Sequence, residues 1–518
     1  MAKCKIIDCA LDTFGDKGEC VLHLEKSNYH YDSNIGILRP FFSTLIKEIA
    51  EFPFQYKDQS NAINIDTFSK YLSTGEVLAN DISKFAKESP VVLQNIKFPE
   101  RDERDSYDYL KVLQKLGSIH FIDCDFHTHS LSLSGVKCFY QNCQFHANWY
   151  IYNSLLLENV NSVLYQECIF HQYVSATSDD SSNDDENYIL DNTLFNNCSF
   201  KQKLEFHRIE CKKTLFNNTD SANTLIEHFQ LSECIFHEKF ILNNCKINIY
   251  HSSATIFNSK FEFKNNKVSS FYVDDTNHFG LVDTFGTHFD RFNMSKSIFK
   301  DFVGFEECQF GSIDNKSIQN ISTFKYATFL SFVNFRNTTF NSGLDIKNIN
   351  LKEAPNFLNI NIHTNNTNRE TFRIIKNSFD KIGNNIEANK FFVFEMQKYK
   401  EELKDTDQYQ ERFILFLNEY ISNFGQSYIK PILWIVALSV VYTLIVVGYE
   451  NNLLYKIMPS ANNAISGLAD GVNLVAKSIL PFKNALANKM EFISLIFYII
   501  FTSLIWQTVI ALKKHTKK

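Results

Sequence analysis

Large apolar residues in the middle of this chain recur at a step of five, a period that neither a helix nor a strand produces. An α-helix returns to one face every 3.6 residues and a strand every two. The longer runs are Leu190–Phe195–Phe200, Phe206–Cys211–Phe216, Ile226–Leu231–Phe236–Ile241 and Phe289–Met294–Phe299. Phe121–Phe126, Tyr165–Phe170, Phe305–Phe310, Phe324–Phe329 and Phe335–Phe340 extend the pattern. Two residues before many of these rings stands something small. Cys124, Cys143, Cys168, Cys198, Cys234 and Cys308 precede Phe126, Phe145, Phe170, Phe200, Phe236 and Phe310 in this way. Ser259, Ser297, Ala327 and Thr338 do the same before Phe261, Phe299, Phe329 and Phe340. The unit reads small-x-Phe-x-x.

That unit resembles the pentapeptide-repeat family, and the resemblance covers about half the chain. It implies a mainly β fold, a right-handed quadrilateral β-helix in which each pentapeptide forms one side of a coil. The central large residue and the small residue two before it then point inward. Four units make a coil of about twenty residues, and coils stack at roughly 4.8 Å through a continuous hydrogen-bond ladder. The repeats are degenerate: successive Cys-x-Phe units are spaced 19, 25 and 30 residues apart from Cys124 to Cys198. Loops must therefore interrupt the coils. One is SATSDDSSNDDEN at 175–187, which reads as a solvated loop because it lacks the Gly-turned ligand spacing of a calcium site.

Four units carry the fuller pattern Cys-x-Phe-His, at 124–127, 143–146, 168–171 and 234–237. Cys and His three apart raise the question of zinc. With Cys and Phe facing inward, the following His faces outward, so one box cannot offer both ligands to one ion. Cys is then a small, weakly polar core filler, and these residues form a structural ladder with no metal. The His spacings of 19, 25 and 66 predict no common outer face. The beginning of the chain, MAKCKIIDCALDTFGDKGEC, lacks the basic head and apolar run of a secretory signal, so reduced thiols are expected.

Four regions follow. Residues 1–118 lack the five-step and read as an α-containing cap, with short helices over Leu38–Phe52 and Asp66–Tyr71 and a longer one over Arg101–Leu116. The β-helix occupies 119–363. Residues 364–428 turn helical, and their GN…EA…F…EM and FGQS…KP..W segments resemble the junction in bacterial pentapeptide-repeat proteins with C-terminal membrane helices. Residues 429–518 form a membrane domain: 431–449 and 492–512 run uncharged and are long enough to cross a bilayer. Trp434 and Tyr449 suit its interfaces. Two spans place the N-terminal part and the C-terminus on one side. The KKHTKK tail, with Lys398, Lys400, Lys404 and Lys430, assigns that side to the cytosol, and the resemblance implies that the membrane is a bacterial inner membrane. The connector at 450–490 would lie outside, its AISGLADGVNLVAKSILPF segment reading as interfacial or re-entrant.

For function, no P-loop, GxSxG, HExxH or dinucleotide fingerprint is present, so no catalytic residue and no cofactor is assigned. The leading expectation is a membrane-anchored cytosolic β-helix that binds or scaffolds a protein partner of unknown identity, with the lipid bilayer as its other partner. The alternative is a subunit of an oligomeric channel or transporter. Thr502, Ser503, Gln507 and Thr508 of the second span would line its pore or simply hydrogen-bond between helices, and homo-oligomerisation stays open. A third reading, mimicry of DNA toward topoisomerases, needs dense acidic charge. Residues 119–367 carry 19 Lys and Arg against 27 Asp and Glu, five of those acids in the 179–186 loop, which is too mild. The net charge of −6 gives no basic field for nucleic acid.

Overall fold

The computed structural model describes residues 3–6, 9–26, 37–55, 63–79, 81–100, 107–131, 133, 135–151, 163–177, 188–217, 224–312, 320–450, 470, 472–473 and 487–516. The chain divides into two compact units, Met1–Thr367 and Asn368–Lys518.

The first unit is a parallel β-solenoid of about ten turns. Its strands stack into four parallel sheets, of sixteen, eight, five and five strands. Lys246 pairs with Lys267 and Lys267 with His288, so a regular coil is 21 residues long. Four steps of five give one residue fewer. The extra residue lies on one side of the coil, where Phe257 and Phe263, His278 and Thr284, and Phe299 and Phe305 stand six apart; all are buried. Ser259 falls in this longer side and is half-exposed, while Phe261 itself takes the inward position two before Phe263. Ser297, Ala327 and Thr338 are buried beside their rings as expected.

The corners share one backbone conformation. The residue before each inward small position has left-handed backbone: φ is 53° at Asp123, 52° at Asn142, 55° at Glu167, 53° at Asn197, 54° at Glu233 and 56° at Glu307. Asn and Asp tolerate this region better than other side chains with a Cβ. Between corners the rings stack. Phe98, Phe126, Phe145, Phe170 and Phe200 form one column with successive centroids 5.0, 5.1, 4.5 and 5.0 Å apart. Phe236, Phe257, His278, Phe299 and Phe329 form another at 4.9, 4.9, 4.9 and 4.8 Å. The ring spacing matches the spacing of hydrogen-bonded strands. Backbone ladder and aromatic core thus share one repeat distance.

The first coil begins at Pro90, inside the stretch read as a cap. Pro90–Gln94 pairs with Ser118–Ile122, and Lys97–Phe98 with Asp125–Phe126. Ahead of it come α1 (Leu38–Glu51), α2 (Ile65–Thr74) and α3 (Ile82–Glu88). The expected long helix over Arg101–Leu116 is reduced to α4 (Leu110–Leu113) among the described residues; 101–106 lie outside them. Phe41 of α1 closes the apolar end of the coil, edge-on to Phe98 at 6.2 Å and Tyr109 at 5.9 Å. Of the segment 175–187, Ser175–Thr177 belong to a strand, Val174–Thr177, and the rest lies outside the described residues.

The second unit is helical. α5 (Arg369–Lys381) and α6 (Asn385–Glu402) are capped by Asn368 and Asn384, whose side chains accept from the amides of Thr371 and Glu387. Phe372 and Phe379 pack against Phe391 between them, and the Arg373 guanidinium pairs with the buried Glu395 at 3.2 Å. α7 (Tyr409–Ser422) ends in a left-handed run at Asn423, Phe424 and Gly425. α8 (Ile429–Glu450) and α9 (Glu491–Thr516) follow.

Candidate functional site

Each ladder cysteine is walled in. The Cys124 thiol faces the carbonyls of Ile122 and Leu93, both at 3.3 Å, and Cys168 those of Gln166 and Tyr140 at 3.3 and 3.5 Å. Cys143, Cys198 and Cys234 repeat this arrangement, one carbonyl two residues back and one on the preceding coil. Burial pushes the thiols of Cys124 and Cys168 well up, and those of Cys234 and Cys308 to about 12. Cys124, Cys168, Cys234 and Cys308 are thus thiols surrounded by acceptors and kept protonated.

The histidines of the same boxes depart from expectation. His127, His146 and His171 do form an outer column, with ring centroids 4.6 and 4.7 Å apart. The uneven spacing misled because strand pairing, not sequence interval, keeps the Phe preceding each His in register. His127 meets the Glu25 carboxylate at 2.6 Å, and His171 meets the Gln144 side chain at 3.0 Å. Burial holds the pKa of both rings below the usual imidazole value. His237 lies on a different sheet, against Glu210 at 3.0 Å.

Two helices are long and apolar enough to cross a membrane, Ile429–Tyr449 and Glu491–Lys514, with mean hydropathy 2.3 and 2.1. Their side chains are largely uncovered: Leu433, Leu444, Ile499 and Trp506 are each more than half exposed. Trp434 stands near the start of α8 against Tyr420 of α7, 5.3 Å between rings, and Tyr449 lies in its last turn. α8 and α9 meet where the Tyr442 hydroxyl bonds Ser494 at 3.0 Å. Thr502, Ser503 and Thr508 donate to carbonyls four residues back on their own helix. Gln507 is engaged by Ser422 and Asn418 of α7. α7 leaves Tyr409, Phe413, Ile414, Phe416 and Tyr420 exposed. The apolar segment of the connector lies almost wholly outside the described residues.

A separate cluster gathers four residues that the sequence reading passed over. The Cys9 and Cys20 sulfurs are 3.8 Å apart, and His23 Nδ1 lies 3.4 Å from the Cys4 sulfur and 3.3 Å from that of Cys20. All four potential ligand atoms of Cys4, Cys9, Cys20 and His23 lie within 4.8 Å of one another. Cys4, Cys20 and His23 are buried and Cys9 is half-buried. The signal in the sequence is C-x4-C-x10-C-x2-H, irregular spacing that as a whole matches none of the repeated boxes. The three thiols and one imidazole of this cluster come from the first 23 residues, brought together by bonds from Cys4 N to Leu11 O at 3.0 Å and Phe14 N to Glu19 O at 2.8 Å. No family model matches this chain, and neither a curated protein nor a solved structure matches it.

Proposed function

We propose that the chain is a pentapeptide-repeat β-helix, right-handed and four-sided, tethered to the cytosolic face of a bacterial inner membrane, where its outer faces bind or scaffold a protein partner. The observation that carries this reading is the union, in one chain, of a long solenoid and two apolar helices with uncovered side chains. A solenoid offers extended regular surfaces rather than a pocket. In keeping with that, the void beside His278 measures about 10 Å³, room for one water.

The anchor is favoured over the pore by the hydroxyls of α9. Thr502, Ser503 and Thr508 already satisfy their protons on the helix, and Gln507 is held by α7. The exposed aromatic face of α7, just before the first span, suits the headgroup boundary. The test is the intact protein in inverted inner-membrane vesicles. Extraction by detergent but not alkali, digestion of the solenoid by added protease, and no ion flux after reconstitution into liposomes support the anchor. Flux would establish the channel, and recovery in the soluble fraction would overturn both.

A further inference from the structure

We propose that Cys4, Cys9, Cys20 and His23 bind one structural Zn²⁺ ion that staples the start of the chain onto the first coil of the solenoid. The first argument is distance. Zinc–sulfur bonds of about 2.3 Å and zinc–nitrogen bonds of about 2.0 Å at tetrahedral angles put sulfurs about 3.8 Å apart, and sulfur and nitrogen about 3.5 Å apart. The Cys9–Cys20 separation is 3.8 Å, and the imidazole nitrogen lies 3.4 and 3.3 Å from two sulfurs. Three Cys and one His make a closed tetrahedral set with no position left for substrate, the pattern of a structural site.

The surroundings of the ligands are the second argument. The backbone amides of Ile6, Leu11 and Leu22 each lie against the sulfur two residues earlier, and the Cys20 amide donates to the Cys4 sulfur at 3.2 Å. Amides aimed at sulfur stabilise thiolate, which is the form a metal needs. With Nδ1 turned to the sulfurs, the His23 ring is also bonded to the Gln94 carbonyl. That outer bond fixes the tautomer and orientation of a metal-bound imidazole.

Charge supplies the third. Lys26 is completely buried, its ammonium donating to the carbonyls of Leu22, Leu24 and Lys97 at 3.0, 2.7 and 2.9 Å and lying within electrostatic reach of Cys20. Zn²⁺ with three thiolates and a neutral imidazole carries a net −1. Binding releases the three thiol protons to solvent and leaves an anionic complex within electrostatic reach of Lys26. A disulfide does not account for the set: it would pair two sulfurs and leave the third thiol and the imidazole unexplained.

The site has a mechanical consequence. Leu22, inside the Cys20–His23 turn, accepts from the Lys97 amide at 3.0 Å, and Lys26 donates to the Lys97 carbonyl. Gln94 and Lys97 belong to the opening strands of the first coil. The metal therefore holds in place the loop that covers that coil.

The experiment measures zinc in the full-length protein purified in detergent without chelators or added metal. One zinc per chain is expected. The combined substitution of Cys4, Cys9 and Cys20 by Ser should lower it below about a tenth, while Cys124→Ala and Cys168→Ala should retain it. His23→Cys, which preserves four ligands, guards against loss through misfolding. Substituted with Co²⁺, it should keep one metal and show stronger thiolate-to-cobalt charge-transfer absorption than the parent. Absence of metal together with no thiolate–cobalt absorption after reconstitution, zinc that survives the triple substitution, or a Cys9–Cys20 disulfide would each overturn the proposal.

Discussion

His278 occupies a rung that phenylalanine fills in the coils on both sides. It is stacked between Phe257 and Phe299, each at 4.9 Å, and buried to 4% exposure. Burial lowers its pKa from 6.5 to about 3. Above the unfolded value the ring is neutral in both states and contributes no pH dependence. As pH falls below that value the unfolded chain takes a proton that the folded chain refuses, so stability is lost through the window between the two values. The limiting slope is about 1.4 kcal/mol per pH unit. His278→Phe restores the aromatic column and removes the proton. Its melting temperature should exceed the parent's, and the gap should widen between about pH 6.5 and pH 5. A gap independent of pH would show that the ring reaches water and ionises in place.

At the scale of the element, the five-step was legible because most sides of a coil turn one large and one smaller side chain inward. Cys168, Phe170, Cys198 and Phe200 lie where the spacing placed them. The six-residue side was not legible, since Phe257 and Phe263 break the period without any change in residue type. Nor was the histidine column, because register is kept by backbone pairing and not by sequence interval. The strand Pro90–Gln94 was missed for a related reason: a first coil has only one neighbour to select its pattern. Within the ladder, Phe145 stacks on Phe126 at 5.1 Å and Phe170 at 4.5 Å and touches Trp149 at 4.4 Å. Phe145→Ala should destabilise the unit by about 3–5 kcal/mol, against roughly 1 kcal/mol for Cys168→Ala. Thermal unfolding followed through the β signal of the far-ultraviolet spectrum measures both. Equal losses would show that the cysteine position carries as much packing as the ring.

For the molecule as a whole, the problem a solenoid must solve is its open edge, where unpaired amides and carbonyls invite another chain. The first coil shows how this one is closed. Phe41 covers Phe98 from above, and both the amide and the carbonyl of Lys97 are taken by Leu22 and Lys26. The amide of Gly117 is taken by the Ala86 carbonyl, at the end of α3. Deletion of residues 1–26 leaves α1 and the aromatic column in place but strips the Lys97 backbone and uncovers one side of the first coil. The shortened protein should fold, retain its β spectrum and associate through that edge in a concentration-dependent way. Light scattering on the detergent-solubilised protein reads this directly. Replacing Lys97 by Pro in the same background removes the free amide, and it should reduce the association if the exposed strand is its cause. A monomer at all concentrations would mean that α1 and the residues around it close the edge without the loop.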